Sequence, residues 1–189
     1  KIIAADYSQI ELRIMAHLSK DPSLVNAFTK DMDVHRATAA EVFGVPLTDV
    51  TAEQRRSAKV INFGILYGMG SFSLSKSLRI SNDAAKDFIK AYFDRYPRVK
   101  KYLDETIEKA RREGYVSTFF KRRRYIPEIS SGDGRMKSFA ERTATNAPLQ
   151  GTASDIIKIA MNRIAERLES EKFLSKMILQ VHDELLFEA

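Results

Sequence analysis

The stretch Arg55-Arg-Ser-Ala-Lys-Val-Ile-Asn-Phe-Gly-Ile-Leu-Tyr-Gly68 decides how the rest of the chain is read. Its spacing predicts a helix. Thr51 stands ahead of it as N-cap with Gln54 three residues later, the pattern of a capping box, and Gly68 and Gly70 supply the stop. Arg55, Lys59, Phe63 and Tyr67 recur at steps of four, so each is offset by only about 40° from the last and all four share a face roughly 18 Å long. Ala58, Ile61 and Ile65 fall on the other side, where they can bury against a core. Two cations followed by two aromatics offer charge to an anion and flat surface to a ring. A nucleoside triphosphate presents both.

Around this helix lie 189 residues, 44% apolar and 30% charged, which suits one globular domain or one domain with a large insertion. There is no cysteine, which removes disulfides and thiolate metal sites. No apolar run approaches the roughly 20 residues of a membrane span and no signal peptide precedes the first strand, so a cytoplasmic protein without membrane contact is expected. The net charge of +6 permits polyanion binding. Because the chain opens at Lys1 directly into an apolar strand, a fragment of something longer is expected.

In order, residues 1–5 read as a buried strand and 8–18 as the start of a helix. Asp21-Pro22 is an N-cap with proline at the first helical position, opening a helix to about Thr29. Asp33 caps another that stops at Gly44. Ser81 starts a helix that ends near Tyr96-Pro97, since proline disfavours helix in the residue before it. Val99, Leu103, Ile107 and Ala110 carry helical spacing on to Gly114. A strand over 115–120 runs into Lys121-Arg-Arg-Arg124. Residues 136–145 look helical, Pro148 argues for an ended or distorted helix, and Ser154 or Asp155 begins a long helix with Ile156, Ala160, Ile164 and Leu168 inward. Strands over 177–181 and 185–188 flank a tight His182-Asp183-Glu184 turn. The fold class is α+β.

Asp6 ends the first strand, and Asp183 and Glu184 occupy the last turn. Carboxylates at strand ends can converge from opposite ends of a sequence, and magnesium favours a few carboxylates together with water and substrate phosphates. The plainer reading is that Asp6 caps the next helix and Asp183 fills a turn position. Arg55 and Lys59 could likewise be a solvated face, and Phe63 and Tyr67 core residues, although Ile61 and Ile65 already supply the core face. The Lys121–Arg124 run could be solvated surface. Arg142, Asn146 and Gln150, spaced by four, are long donors able to reach minor-groove acceptors, which test base-pair shape rather than sequence. His182 is the histidine beside an acidic pair; His17 reads as helix surface or core, and His35 stays open.

Four stretches resemble one family. Asp6-Tyr-Ser-Gln-Ile-Glu-Leu-Arg13 resembles motif A of the family A (DNA polymerase I-like) DNA polymerases. Arg55-Arg-x-x-Lys59-x-x-x-Phe63-Gly-x-x-Tyr67-Gly68 resembles their motif B, and Gln180-Val-His-Asp-Glu184 their motif C. Thr145-Asn-Ala-Pro-Leu-Gln-Gly-Thr152 is a fourth match, in the expected order between B and C.

The resemblance implies a right-hand architecture: a small antiparallel palm sheet, palm at 1–30 and 129–189, and mostly helical fingers at 31–128 with the nucleotide-binding helix near 52–67. It implies that the thumb, the exonuclease domains and a palm segment before motif A lie outside this stretch. Asp6, Asp183, Glu184 and Lys59 would form the catalytic set, with two Mg2+ ions on Asp6, Asp183 and the Tyr7 carbonyl. Arg55 and Lys59 would bind the triphosphate of a dNTP, with Gln9 and His35 as further contacts. Phe63 and Tyr67 would flank base and sugar, and Glu11 would be the gate against a ribose 2′-hydroxyl. Phe72, Arg142, Asn146, Gln150 and His182 would touch primer-template DNA. One departure stands out: the family usually has glycine where Lys121 stands.

These features predict a template-directed DNA polymerase fragment. A module that binds nucleotide or DNA without extending a primer competes with it. A single-subunit RNA polymerase relative shares much of motif B, but Glu11 opposes that reading, because a ribonucleotide enzyme leaves the space open.

Overall fold

The two ends of the chain close on each other. In the computed structural model, which describes residues 1–189, the first strand β1 (Ile2–Asp6) pairs antiparallel with the last, β5 (Glu184–Glu188), and β5 pairs with β4 (Lys176–Val181). The order is β1-β5-β4. Between the ends run α1 (Ile10–Ser19), α2 (Pro22–Thr29), α3 (Val34–Phe43), α4 (Ala52–Leu66), α5 (Ser71–Leu78), α6 (Asn82–Arg95) and α7 (Pro97–Glu113). A hairpin of β2 (Tyr115–Ser117) and β3 (Arg123–Tyr125) and the long α8 (Gly134–Ser170) follow. The α+β class, mostly helical with small antiparallel sheets, is the one expected.

The helices begin where local chemistry caps them. The Asp21 carboxylate accepts the Ser23 and Leu24 N–H groups at 3.1 and 3.2 Å, satisfying donors that a first helical turn leaves without partners. Buried Asp21 also accepts the Arg98 N–H at 3.1 Å, which ties the start of α2 to the first turn of α7. Asp33 caps α3 through Arg36, and Ser81 caps α6 through Ala84. At α4 the capping box closes both ways, Gln54 N–H on Thr51 Oγ1 at 3.1 Å and Thr51 N–H on Gln54 Oε1 at 2.9 Å. Ala58, Ile61 and Ile65 are buried as expected, and Ile61, Ile65 and Leu66 belong to one 21-residue core that also holds Leu12, Met15, Tyr92, Tyr96, Leu149 and Leu185. That shared core is what holds α4 above the sheet.

Four details differ from the sequence expectation. The first strand, read as buried from its apolar run, is exposed along its whole length, because no layer of this chain covers it beyond its ladder with β5. The first helix begins at Ile10, since Gln9 adopts a left-handed conformation at φ 55°. Residues 71–78, left without an element, form α5, with Leu74 buried and no side-chain cap to announce it. The 136–145 and 154–168 segments are one 37-residue helix that passes through Pro148. Proline forfeits one backbone bond and costs ~3 kcal/mol in a helix interior, but Ala144, Thr145, Leu149, Thr152 and Ala153 around it are all buried and hold both halves in line. The stripe Ile156, Ala160, Ile164 and Leu168 lies on the inner side but only half-buried.

The Lys121–Arg124 run is exposed, as a solvated surface would be, and it also leads the chain through the β2–β3 hairpin. Lys121 occupies the turn with φ 70°, the left-handed region where glycine is at ease. Arg122 holds the hairpin on α8, donating to Asp155 at 2.9 Å and to the Gly151 carbonyl at 3.0 Å. A Cβ on Gly151 would stand 2.6 Å from the Thr118 methyl, so the hairpin packs there only because residue 151 has no side chain. Arg123 lies 4.6 Å over the Tyr115 ring, which leaves Arg124 and Lys121 facing solvent.

Candidate active site

The sheet register brings the separated carboxylates together. Asp6 is the partner of Glu184 across β1 and β5, and the Tyr7 N–H donates to the Asp183 carbonyl at 3.2 Å. His182 and Asp183 form the two-residue turn between β4 and β5, with His182 at φ 53° and its carbonyl accepting from Gln180 Nε2 at 3.0 Å. Glu184 is therefore the first residue of a strand rather than part of the turn. Asp6 is exposed and Asp183 half-buried, so both carboxylates remain open to a ligand. No three His, Asp or Glu side chains converge into a closed metal cage. Carboxylates at an open edge are nonetheless donors of the kind magnesium takes when water and phosphates complete its shell.

Above this edge stand Glu11, Phe63 and Tyr67. Tyr67 O–H donates to the Glu11 carboxylate, and Phe63 stacks beside Tyr67 with ring centroids 6.3 Å apart and planes 25° from parallel. Burial, then the bond to Glu11, pushes the Tyr67 phenol well above its ordinary range, so it stays protonated and donating. Gln150 and Asp183 lie within electrostatic reach of the same hydroxyl. Glu11, Phe63, Tyr67, Gln150, His182 and Asp183 all line one cleft of about 480 Å³. Helix α4, helix α8 and the closing hairpin thus meet around a single space.

Further up α4, Arg55 and Lys59 are exposed, as the periodicity predicts. Arg55 is not free: its Nε donates to Asp33 Oδ2 at 2.5 Å. Burial raises the Asp33 carboxyl, but hydrogen bonds from Arg55 and the Arg36 N–H outweigh it and hold the group below its ordinary value. Lys59, one turn on, has no carboxylate partner. His35, a candidate for a further nucleotide contact, is 2% exposed and meets Asn62 Nδ2 through Nδ1 at 2.9 Å. It packs beside Phe63, 5.7 Å between centroids, since the inner face of α3 turns it into the core. Gln9 sits half-buried with Oε1 enclosed and unpaired.

A second cleft of about 370 Å³ opens beside the first, lined by Arg122, Arg123, Arg124, Asn146 and Gln150 among others. Gln150 borders both spaces. Asn146 Oδ1 is buried there without a partner. Arg142 lies outside both, on the far side of α4's end: a Cβ on Gly68, at φ 74°, would meet its Cγ at 2.8 Å. Phe72 on α5 is 65% exposed, with the Lys76 ammonium 4.4 Å over its ring. The structure therefore brings Glu11, Phe63, Tyr67, Gln150, His182 and Asp183 into one cleft and leaves Arg142 and Phe72 apart. Asn62 escaped the sequence reading. Its signal was a polar residue one position after Ile61 and four after Ala58, inside the apolar stripe of α4.

A helical lid bearing cations and aromatics over a carboxylate-edged sheet is the arrangement of a nucleic-acid polymerase domain. The POL domain of Pol1 from M. smegmatis, solved in complex with DNA primer-template and dNTP, superposes with TM-score 0.95 at 46% identity, covering 99% of this chain and 33% of that one. Residues 1–189 match DNA polymerase family A throughout, and the chain belongs to that family. It is 56% identical to DNA polymerase I of Pseudomonas aeruginosa and 52% identical to that of Caldicellulosiruptor bescii, each over 188 residues. The chain spans about a fifth of the length of these relatives, 21% and 22%.

Proposed function

We propose that this chain is the palm-and-fingers part of a template-directed DNA polymerase that transfers a dNMP from a dNTP to a primer 3′-hydroxyl and releases pyrophosphate. The observation that supports it best is the register of β1 against β5, which sets Asp6 beside Glu184 and Asp183 under the Glu11–Tyr67 gate. Residues 1–30 and 129–189 are the palm and 31–128 the fingers; in the cell the protein works in the cytoplasm, at the nucleoid if bacterial. No helix here is long and apolar enough to cross a membrane.

Asp6, Asp183 and the Tyr7 carbonyl would hold two Mg2+ ions, which when bound supply charge stabilisation for the attacking and leaving oxygens. The protein's own residues do the selecting. Arg55 and Lys59 bind the triphosphate, Lys59 closest to the chemistry; Phe63 and Tyr67 flank base and sugar. Glu11, held by Tyr67, fills the space a 2′-hydroxyl needs. Gln150, Asn146 and His182 bear on the primer-template near its terminus, with Arg142 and Phe72 outside the cleft on the path of the template. Closure of the fingers over a matched pair completes this constellation, which makes selection an induced fit.

The uncovered sheet favours a second reading, a module that binds nucleotide or DNA without extending a primer: Ile2, Ile3, Ile178, Leu179 and Val181 are all more than 40% exposed. Primer extension with magnesium and dNTPs separates the two. Template-dependent incorporation that Asp183→Ala abolishes supports the polymerase; binding without incorporation in either protein supports the module.

A further inference from the structure

Inside the lid, one fully buried polar chain links three elements. Thr38 Oγ1 donates to Asn62 Oδ1 at 3.0 Å, Asn62 Nδ2 meets His35 Nδ1 at 2.9 Å, and the Tyr96 hydroxyl lies 3.3 Å from Thr38 Oγ1. Thr38, Asn62, His35 and Tyr96 are each at most 2% exposed. With the Asn62 amide oxygen toward Thr38, the remaining donors and acceptors follow. Thr38 has one hydroxyl proton and gives it to Asn62 Oδ1, so Tyr96 donates to Thr38. The Asn62 amide then points its N–H₂ at His35, which must accept through an unprotonated Nδ1. The ring proton therefore resides on Nε2. That nitrogen has no protein partner and is not among the enclosed polar atoms left unpaired, in a residue that is 2% exposed.

We propose that Asn62 is a positioning residue that fixes His35 as the neutral Nε2–H tautomer and so presents one N–H, beside Arg55 and Lys59, to the phosphates of the nucleotide. This rests on the nucleotide-binding reading of α4. A neutral donor suits the position. Burial disfavours the imidazolium, Asp33 ahead of α3 favours it, and Arg55 and Lys59 on α4 disfavour it again; the net shift is downward. Tyr96, the remaining titratable group of the network, is also held protonated by burial. An Nδ1–H tautomer would turn a lone pair toward the phosphates and repel them. Helix α4 thus contributes its cations from the outer face and, through Asn62 on the inner face, the proton position of a residue on α3.

The chain contains three histidines, so ¹⁵N–¹H correlation of the imidazoles, assigned with His35→Gln, reads the tautomer directly. The expected spectrum shows His35 Nδ1 unprotonated and Nε2 protonated, with dTTP and magnesium shifting the Nε2–H signal. Thr38→Val releases Asn62 to turn over and should let both tautomers coexist. The near-isosteric Asn62→Asp puts a carboxylate on Nδ1 and should keep both ring nitrogens protonated to higher pH. Asn62→Ala should weaken dTTP by about tenfold, the worth of one charge-assisted hydrogen bond, with DNA affinity unchanged. An Nδ1–H tautomer in the parent protein, or a tautomer unmoved by all three substitutions, overturns the proposal. Signals of Arg55 and Lys59 that shift with dTTP while His35 Nε2–H stays still overturn it and leave the nucleotide site standing. No shift at any of the three overturns the nucleotide site itself.

Discussion

Asp6 faces Glu184 across an antiparallel ladder, although one residue lies near the start of the chain and the other near its end. This pairing carries the carboxylates of the first strand and of the closing hairpin to one edge of the sheet. If that edge is the catalytic centre, Asp6→Asn and Asp183→Asn should each slow single-turnover primer extension by about 10²-fold or more, since several kcal/mol of charge stabilisation are lost. DNA affinity, measured in the same buffer, should change by less than about threefold. A variant that extends at the parental rate would remove its aspartate from the site.

Glu11 and Tyr67 hold each other across the cleft. In Glu11→Ala Tyr67 loses its acceptor, and if Glu11 is the sugar gate the boundary beside the sugar disappears with it. Incorporation of ribonucleotides relative to deoxyribonucleotides should rise by about 10²-fold, the size of a lost steric and polar discrimination. Competition between rCTP and dCTP on a single-G template checks it, and an unchanged ratio refutes the gate.

Arg55 is paired with Asp33 and Lys59 is not. If the exposed Lys59 ammonium is a phosphate contact, Lys59→Ala should raise the dNTP KM and lower kcat/KM by about 10²-fold, with primer-template binding nearly intact. Equal losses in nucleotide use and DNA affinity would mark Lys59 as a DNA contact.

Lys121 stands at φ 70°, in the left-handed region where glycine is at ease, and the turn is made regardless. The left-handed conformation costs a side-chain-bearing residue about 1–2 kcal/mol, partly offset by the smaller entropy it loses on folding. Lys121→Gly should stabilise the protein by about 0.5 kcal/mol in urea unfolding, with the slope unchanged. A destabilised variant would mean that the lysine side chain makes a contact worth more than the strain.

Burial keeps His35 below the ordinary histidine value of 6.5, so the unfolded chain takes up a proton before the folded one does. Its stabilising effect is complete above pH 6.5 and declines as pH falls from there toward the folded value, by at most about 1.4 kcal/mol per pH unit. Asp33, lowered from 3.8, acts in the same direction but only below that pH. Urea midpoints between pH 7.5 and 5 should fall in the parent and fall less in His35→Gln. Parallel curves would place a different group in control of that window.

Helix α4 shows what can be read from sequence and what cannot. Its capping box, its exposed Arg55 and Lys59 and its buried Ile61 and Ile65 all follow from interactions within one or two turns. Such features depend on neighbours four residues away and are written into local order. The caps at Asp21, Asp33 and Ser81 belong to the same class. The proline at 148 misled for the complementary reason: propensity named a helix end, while buried neighbours on α8 imposed a continuous helix. The meeting of Asp6 with Glu184, the bond that takes Arg55 to Asp33, and the buried path from Asn62 to His35 join residues whose separation carries no period. Sequence determined which side chains each element would present. Only the shared core, by fixing α4, α8 and the sheet against one another, decided which of them would meet.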